Sequence, residues 1–163
     1  MIKIQIPATS ANLGAGFDAL GLALTYYNYI EMEECDKIDI TAADGLDIPT
    51  DERNLIYISA KDLFAVCGKK LEGLKLIQTS NIPMARGLGS SSACIIAGLV
   101  GANKMLGDPL TKDDLVDLAA QIEGHPDNTA PALLGGIVTA VFDERKVHWV
   151  KQEVFTKLKF VAI

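Results

Sequence analysis

The sequence predicts a fold of the α+β class, in which a mixed β-sheet packs against helices. Short segments with an apolar residue at every second position indicate half-buried strands, as at residues 1–6, where three isoleucines alternate with polar residues. Longer segments with apolar residues three and four positions apart indicate helices. The two kinds of segment do not follow the regular strand–helix–strand order of a parallel sheet, which favours α+β over α/β.

Each element is bounded by local signals. The first strand, over residues 1–6, is expected to end at Pro7, because proline lacks the N–H group that a sheet needs. A loop of small residues follows from Ala8 to Asp18. We expect the next two strands, over 20–33 and 37–42, to pair with each other. The remaining expected elements are a helix over 54–66, a strand over 74–79, a helix from Ser90 to Gly107, a helix from Thr111 to Gly124, a turn or short helix between Pro126 and Pro131, a hairpin of strands over 137–142 and 146–150, and a strand that begins at residue 158.

Composition limits the classes of function. The chain has 163 residues, of which 49% are hydrophobic, so one folded domain with a sizeable core is expected. The net charge of −6 argues against nucleic-acid binding, which needs a basic surface. The sequence also lacks the pattern of a secretory signal and any apolar run long enough to cross a membrane. Three cysteines without a C-x-x-C pair suggest free thiols in a reducing cytoplasm rather than disulfides or zinc.

One segment predicts a binding site. Residues 83–93 combine a proline, two glycines and three serines directly before the predicted helix at Ser90. The first turn of a helix has free N–H groups and the positive end of the helix dipole, so it favours an anion such as phosphate. The segment matches neither G-x-x-x-x-G-K-[ST], which requires a lysine, nor G-x-G-x-x-G, whose third glycine is replaced by Ser92. Considered alone, it is equally compatible with a simple helix cap.

The pattern Pro-x-x-x-Gly-Leu-Gly-Ser-Ser-Ser-Ala at 83–93 resembles the ATP loop of the GHMP kinases, such as galactokinase, mevalonate kinase and homoserine kinase. Residues 7–24 resemble the N-terminal signature of the homoserine kinases, and residues 123–131 resemble their third motif. Two positions depart from that pattern: Ala15 replaces the usual proline and Thr129 the usual valine.

The resemblance implies the N-terminal domain of a GHMP kinase, with a mixed sheet layered with helices and a topology like that of ribosomal protein S5 domain 2. It implies an ATP-binding domain over residues 1–157 and the start of a ferredoxin-like C-terminal domain at 158–163. We therefore expect the sequence to be a fragment, without the arginines that bind substrate in the family.

The implied reaction is the ATP-dependent phosphorylation of the hydroxyl of L-homoserine to O-phospho-L-homoserine, a step of threonine biosynthesis. The hydroxyl would attack ATP directly, assisted by Mg²⁺ and without a strong base. The implied partner is thus a small-molecule substrate, and the implied location is the cytoplasm. Neither nucleic acid nor a membrane is expected to bind, and a homodimer is possible.

The resemblance also assigns residues. Mg²⁺ is expected at Ser91, with Ser92 as the near alternative, and at Glu123. The catalytic residues are expected to be Asn12, Asn128 and Glu123, with the two asparagines positioning the reacting hydroxyl. Amino-acid substrate contacts are expected from Asn12, Asp18, His125, Asp127 and Asn128. ATP contacts are expected from Asn54 beside the adenine and from Pro83, Met84, Ala85, Arg86, Gly87, Leu88, Gly89, Ser90, Ser91, Ser92 and Ala93.

Each assignment has a structural alternative. Asn54 is at least as compatible with the N-cap of a helix. Asn12 and Asp18 are residue types that stabilise turns, Glu123 can be a solvated acid at a helix end, and His125 can be an ordinary loop histidine. Alternative functions are another GHMP small-molecule kinase, such as a shikimate kinase, or a nucleotide-binding fragment that is inactive without its C-terminal domain. An S5-like RNA-binding domain is disfavoured by the acidic charge.

Overall fold

The computed structural model describes residues 1–153 and Lys159. Strands and helices follow one another irregularly along this part of the chain, which confirms the predicted α+β class. In chain order the elements are β1 (Ile2–Ala11), β2 (Leu20–Cys35), β3 (Ile38–Ala42), α1 (Leu55–Val66), β4 (Gly73–Thr79), α2 (Ser90–Met105), α3 (Lys112–Glu123), α4 (Thr129–Leu134), β5 (Ile137–Asp143) and β6 (Lys146–Gln152).

The long strand β2 organises a mixed sheet. One edge of β2 pairs with β1 in antiparallel fashion, with Ile4 opposite Ile30. The other edge pairs with β4 along the second half of β2 and with β5 at its first residues, both antiparallel. Strand β3 adds to β4 in parallel, and β6 adds to β5 in antiparallel fashion. The sheet is therefore mixed, as expected, with β2 at its centre.

The core lies between one face of this sheet and helices α1 and α2. Residues opposite each other on paired strands share a face, so the alternating apolar residues of β1, β2 and β4 form one continuous apolar surface. The core includes Ile4, Ile30, Met32 and Leu76 from the strands and Ile56, Leu63, Phe64, Ile95, Ile96 and Leu99 from the helices. A smaller cluster joins α3 and α4 to the hairpin of β5 and β6 through Val116, Ala120, Ala130, Val138, Ala140 and Val147.

Helix α2 packs closely on its neighbours because it presents glycines to them. A Cβ atom added at Gly98 would lie 2.4 Å from the carbonyl oxygen of Ile56 in α1. A Cβ atom at Gly101 would lie 2.0 Å from the sulfur of Met32 in β2. These contacts and the burial of most of its side chains hold α2 in place, with its first turn at the end of the preceding loop.

The prediction that the first strand ends at Pro7 is wrong. Strand β1 continues to Ala11, and its register shifts between Pro7 and Thr9, which is typical of a β-bulge. Among the described strands, β1 pairs only with β2 and lies at a sheet edge. An edge or a bulge tolerates the missing N–H of proline. The predicted loop from Ala8 therefore begins only at Asn12.

The expected pairing of the second and third strands is also wrong. Strand β3 pairs with β4, not with β2, although only two residues separate it from β2. The chain returns through α1 to β4, which lies between β3 and β2, and this helical crossover is the connection that a parallel pair requires. The predicted strand from residue 158, and with it the expected start of a second domain, lies outside the described residues. In the part of the chain that is described, no helix is both long and apolar enough to cross a membrane.

Candidate active site

A cavity of about 550 Å³ opens between the loop that follows β4 and the N-terminal end of α1. The end of β1, the C-terminal end of α3 and the start of α4 complete its walls. Its lining includes Ala11, Asn12, Ile48, Pro49, Arg53, Asn54, Leu55, Gln78, every residue from Pro83 to Ser92, Cys94, Glu123 and Asn128. Most of the residues predicted to contact ATP and Mg²⁺ therefore surround one cavity.

The loop between β4 and α2 (residues 80–89), here called the glycine loop, has a backbone that few sequences allow. Ala85, Gly87 and Gly89 all have positive φ, at 55°, 68° and 65°. The N–H of Thr9 donates to the carbonyl of Leu88 at 3.1 Å and so fastens the loop to β1. A Cβ atom at Gly89 would lie 1.9 Å from Oγ1 of Thr9, so this position requires glycine for both its φ and its space.

The first turn of α2 is left open at the cavity. Its N-cap is Gly89, and it contains no acidic residue. Among the residues that the structure describes, no side chain bonds to its free N–H groups. Unpaired donors at a helix N-terminus attract anions, and the effect is strongest in the first turn. The geometry thus agrees with the phosphate site that the sequence predicts at this turn.

Glu123 joins the end of α3 to the start of α2. Its Oε1 accepts hydrogen bonds from the hydroxyls of Ser91 at 2.8 Å and Ser92 at 3.2 Å. A carboxylate is unfavourable at the C-terminus of its own helix but favourable beside the N-terminus of another. This placement explains why an acid ends α3, and it brings together Ser91 and Glu123, which are predicted to hold the metal ion, and Ser92, the near alternative to Ser91.

The oxygen atoms in this group suit Mg²⁺, which prefers hard oxygen ligands and retains waters. One carboxylate and two hydroxyls converge beside the open helix N-terminus where phosphate oxygens would lie. Within residues 1–153 and Lys159, no cluster of three or more His, Cys, Asp or Glu side chains is placed to hold a metal ion. The residues present therefore fit a metal ion that is shared between protein and phosphate.

A second group of predicted residues meets around the carboxylate of Asp127. Asn12 Nδ2 donates to its Oδ2 at 3.3 Å, and Asn128 Nδ2 donates to its Oδ1 at 3.4 Å. Nδ1 of His125 lies 2.5 Å from the same Oδ1. The Asp127 side chain is buried, whereas Asn12 and Asn128 line the cavity. Asp127 thus lies behind the two asparagines rather than at the cavity wall.

The loop after β1 is folded around Asn12. The residues Asn12 and Asp18 both have positive φ, at 59° and 53°, and the N–H of Asp18 donates to Oδ1 of Asn12 at 2.8 Å. This is the turn-stabilising arrangement that asparagine side chains commonly make. The Asp18 side chain is exposed and, like His125 and Asp127, does not line the cavity.

Asn54 caps helix α1. Its Oδ1 accepts from the N–H groups of Ile56 at 2.9 Å and Tyr57 at 3.4 Å, and its Nδ2 donates to the carbonyl of Pro49 at 2.9 Å. The capping alternative is therefore observed at a residue that also lines the cavity. Ala93, in contrast, is buried in the core and lies outside the cavity lining.

Sequence reasoning missed two residues at this site. Thr9 is fully buried and donates its hydroxyl hydrogen to Oδ1 of Asn128 at 2.8 Å. Gln78 lies on the cavity floor, where its Nε2 donates to Ser80 Oγ at 2.7 Å and its Oε1 has no hydrogen-bond partner in the described part of the chain. Thr9 stands among small residues without periodicity, so only its place inside residues 7–24 marks it.

Cys94 follows the glycine loop and also lines the cavity. Burial raises the pKa of the Cys94 thiol to about 11, and the nearby Glu123 carboxylate adds to the effect. A thiol with so high a pKa is almost entirely protonated near pH 7 and is a poor nucleophile. This environment suits a small packing residue better than a nucleophile.

The chain is similar to known proteins of the GHMP kinase family, among them homoserine kinases. A family model described as the GHMP kinases N terminal domain matches residues 54–136. The homoserine kinase of Petrotoga mobilis is 46% identical over 166 residues, covering 100% of this chain and 54% of that protein. The homoserine kinase of Carboxydothermus hydrogenoformans is 50% identical over 154 residues, covering 93% of this chain and 51% of that protein.

Among solved structures, the crystal structure of homoserine kinase from Cytophaga hutchinsonii matches with a TM-score of 0.79 at 33% identity. The match covers 92% of this chain and 51% of that one. The chain spans about half the length of the curated relatives it matches.

Proposed function

The chain belongs to the GHMP kinase family through the N-terminal domain of those proteins, and from this premise we propose that it is the ATP-binding domain of a homoserine kinase. The reaction is the transfer of the γ-phosphoryl group of ATP to the hydroxyl of L-homoserine, which yields O-phospho-L-homoserine for threonine biosynthesis. The relatives named above support this substrate, since each is a homoserine kinase.

Because the chain spans about half the length of those relatives, the activity is proposed for a two-domain protein. In that protein residues 1–157 form the ATP-binding domain, and a C-terminal domain begins near residue 158. The C-terminal domain would add cationic side chains for the carboxylate of the amino acid.

One observation carries the proposal: the hydroxyls of Ser91 and Ser92 bond to Glu123 at the open N-terminus of α2, in the cavity that Asn12 and Asn128 also line. Phosphoryl transfer depends mainly on positioning and on stabilising negative charge, not on covalent help from the protein. The glycine loop and the first turn of α2 bind the phosphates through backbone N–H groups. Ser91, with Ser92 as the near alternative, and Glu123 would hold Mg²⁺, which when bound would neutralise negative charge on the phosphate oxygens.

On the side of the cavity where the phosphate acceptor would bind, Asn12 and Asn128 provide neutral amide groups. An asparagine amide can donate and accept hydrogen bonds but cannot take the proton of an alcohol. Asn12 and Asn128 therefore orient the homoserine hydroxyl towards the phosphate without deprotonating it. Asp18 and His125, at the outer side of the same region, bind the amino-acid part of the substrate.

The experiment is a phosphoryl-transfer assay on the full-length protein with MgATP and each of four acceptors: L-homoserine, mevalonate, shikimate and galactose. We expect turnover of L-homoserine alone. Turnover of a different acceptor would refute L-homoserine as the substrate and would indicate another GHMP small-molecule kinase. Absence of turnover with all four, together with measurable ATP binding, would favour the second candidate, a nucleotide-binding domain without activity of its own.

A further inference from the structure

A chain of side-chain hydrogen bonds runs behind the acceptor side of the cavity. It starts at Thr9, whose hydroxyl donates to Oδ1 of Asn128 at 2.8 Å. It continues from Nδ2 of Asn128 to Oδ1 of Asp127 at 3.4 Å, and from Oδ2 of Asp127 back to Nδ2 of Asn12 at 3.3 Å. The chain therefore links β1, the start of α4 and the loop after β1.

Burial divides these residues into two kinds. Thr9 is 0% exposed and Asp127 is 1% exposed, so neither side chain is accessible to a ligand in the cavity. Asn12 and Asn128, in contrast, line the cavity. The buried pair can thus act on a substrate only through the residues that it contacts, which are Asn12, Asn128 and, for Asp127, also His125.

The buried pair determines how the amides are turned. An ionised carboxylate only accepts hydrogen bonds, so it requires the NH₂ side of each asparagine to face Asp127. If the Asn128 amide were rotated by half a turn, its oxygen would lie beside the carboxylate and its NH₂ group beside Thr9. The hydroxyl of Thr9, as donor to the amide oxygen, favours the same orientation from the other end.

Thr9 also connects β1 to the glycine loop. Its backbone N–H donates to the carbonyl of Leu88, and its Oγ1 occupies the space that a side chain at Gly89 would need. The bulge between Pro7 and Thr9 changes the register of β1 just before Thr9. A bulge beside a site commonly redirects a side chain in this way.

We propose that Thr9 and Asp127 are positioning residues, which hold the amides of Asn128 and Asn12 in the orientation that phosphoryl transfer needs. This inference rests on the proposed function and deepens it. It replaces direct substrate contact as the role of Asp127 and gives a role to Thr9. Their contribution belongs to the chemical step, because neither side chain reaches the ATP-binding lining.

The test compares Thr9→Val, which keeps the shape but removes the hydroxyl, with Thr9→Ser, which restores it, and with Asp127→Asn, all in the full-length protein. In Thr9→Val we expect kcat to fall by about 10- to 100-fold with the KM for ATP nearly unchanged, since a small misplacement of a reacting group costs up to this much. Thr9→Ser should recover most of the rate. Asp127→Asn should lower kcat by about 100-fold or more, because it disturbs both asparagines.

A spectroscopic readout tests the positioning without relying on activity. The side-chain NH₂ signals of Asn128 and Asn12 in ¹⁵N-labelled protein should be distinct and slow to exchange in the wild type. They should shift in Thr9→Val for Asn128 and in Asp127→Asn for both, whereas Thr9→Ser should resemble the wild type. Far-ultraviolet circular dichroism identifies a variant that has not folded. If Asp127→Asn fails to fold, the comparison of Thr9→Val with Thr9→Ser still tests whether the buried side chains orient the amides.

Two results would overturn the inference. One is equal kcat and equal Asn128 signals in Thr9→Val and Thr9→Ser. The other is a rise in the KM for L-homoserine in Asp127→Asn with kcat and both NH₂ signals unchanged, which would mean that Asp127 acts on substrate binding through His125 and not on the asparagine amides. If the wild type does not phosphorylate L-homoserine, the proposed function fails, and the NH₂ signals still decide whether Thr9 and Asp127 orient the amides.

Discussion

Helix α3 begins with a capping box made by its own side chains, whereas α2 begins at Gly89, where no side chain in the described part of the protein bonds to the first N–H groups. In α3, Thr111 and Asp114 satisfy each other's backbone N–H groups, and Asp113 and Asp114 add negative charge to the first turn. In α2 the first turn has no acidic residue and faces the cavity.

The difference lies in what stabilises each helix. Helix α2 is buried along most of its length, so packing holds it even without a cap. Helix α3 buries one side only and gains from its cap. A helix that is secured by packing can leave its N-terminal donors free for a ligand, and α2 does so at the turn where we propose that ATP binds.

The largest effect is expected at the residue that shapes the open N-terminus. Gly89→Ala should destabilise the protein by about 2–4 kcal/mol, because it combines positive φ with an overpacked side chain. The added Cβ would lie 1.9 Å from Thr9 Oγ1. Gly87→Ala is the matched control, since Gly87 also has positive φ but nothing lies within 4 Å of its added Cβ.

The control should therefore lose only about 1 kcal/mol, from its backbone conformation alone. Urea unfolding followed by tryptophan fluorescence measures both variants. Equal losses in the two would mean that the contact between Gly89 and Thr9 does not constrain the loop.

The next effect is expected where α3 meets α2. Glu123→Gln keeps an oxygen that can accept from Ser91 but removes the negative charge. We expect kcat to fall by about 100-fold, as when an electrostatic contact to the transferred group is lost, and stability to change by less than about 1 kcal/mol. Glu72→Gln makes the same chemical change at an exposed acid paired with Lys70, away from the cavity. A normal rate in Glu123→Gln would refute the metal-binding role.

A smaller effect is expected if an acidic residue, like those in the first turn of α3, is introduced into the first turn of α2. Ser90→Asp places a carboxylate in the first turn of α2, where it should stabilise the helix by about 0.5 kcal/mol. The same charge repels phosphate, so the affinity for ATP should fall by about tenfold, or 1.4 kcal/mol. Isothermal titration and thermal unfolding measure the two effects. Unchanged ATP affinity would mean that the phosphates do not approach this turn.

The smallest effect on function is expected at α3. Thr111→Ala removes the cap and should cost about 1 kcal/mol of stability without changing ATP affinity. Hydrogen bonds from the Thr111 side chain and backbone lower the pKa of Asp114 from its ordinary value of 3.8. A group whose pKa is lowered by folding contributes stability above its unfolded pKa and loses it as the pH falls.

The difference in stability between wild type and Thr111→Ala should therefore be full near pH 7 and shrink as the pH falls below the ordinary Asp value of 3.8. Unfolding curves at several pH values measure it. A loss of ATP affinity in Thr111→Ala would contradict the purely structural role of this cap.

The same contrast explains what the sequence could predict. The capping box at Thr111 and Asp114 is a local pattern, and the structure confirms it. Helix α2 was placed correctly because its apolar run and the glycine that follows it are also local. The contact between Ser91 and Glu123 could be predicted only from the family resemblance, because the two residues lie 32 positions apart in the chain.

Features that depend on distant partners could not be predicted. Pro7 was expected to end β1, but the edge position of that strand tolerates it, and pairing partners decide which strands are edges. The partner of β3 depends on the path of α1, not on the residues of β3. Thr9 and Asp127 have ordinary residue types in a small-residue run and a turn, and only their burial and contacts distinguish them.

The most direct measurement follows the backbone N–H signals of ¹⁵N-labelled full-length protein during titration with MgATP. The central claim is that the uncapped first turn of α2 binds the phosphates while the capped first turn of α3 does not. It predicts large shifts for Ser90, Ser91 and Ser92, with little change for Lys112, Asp113 and Asp114. Saturable ATP binding that leaves the three serine signals in place, or moves both helices equally, would contradict it.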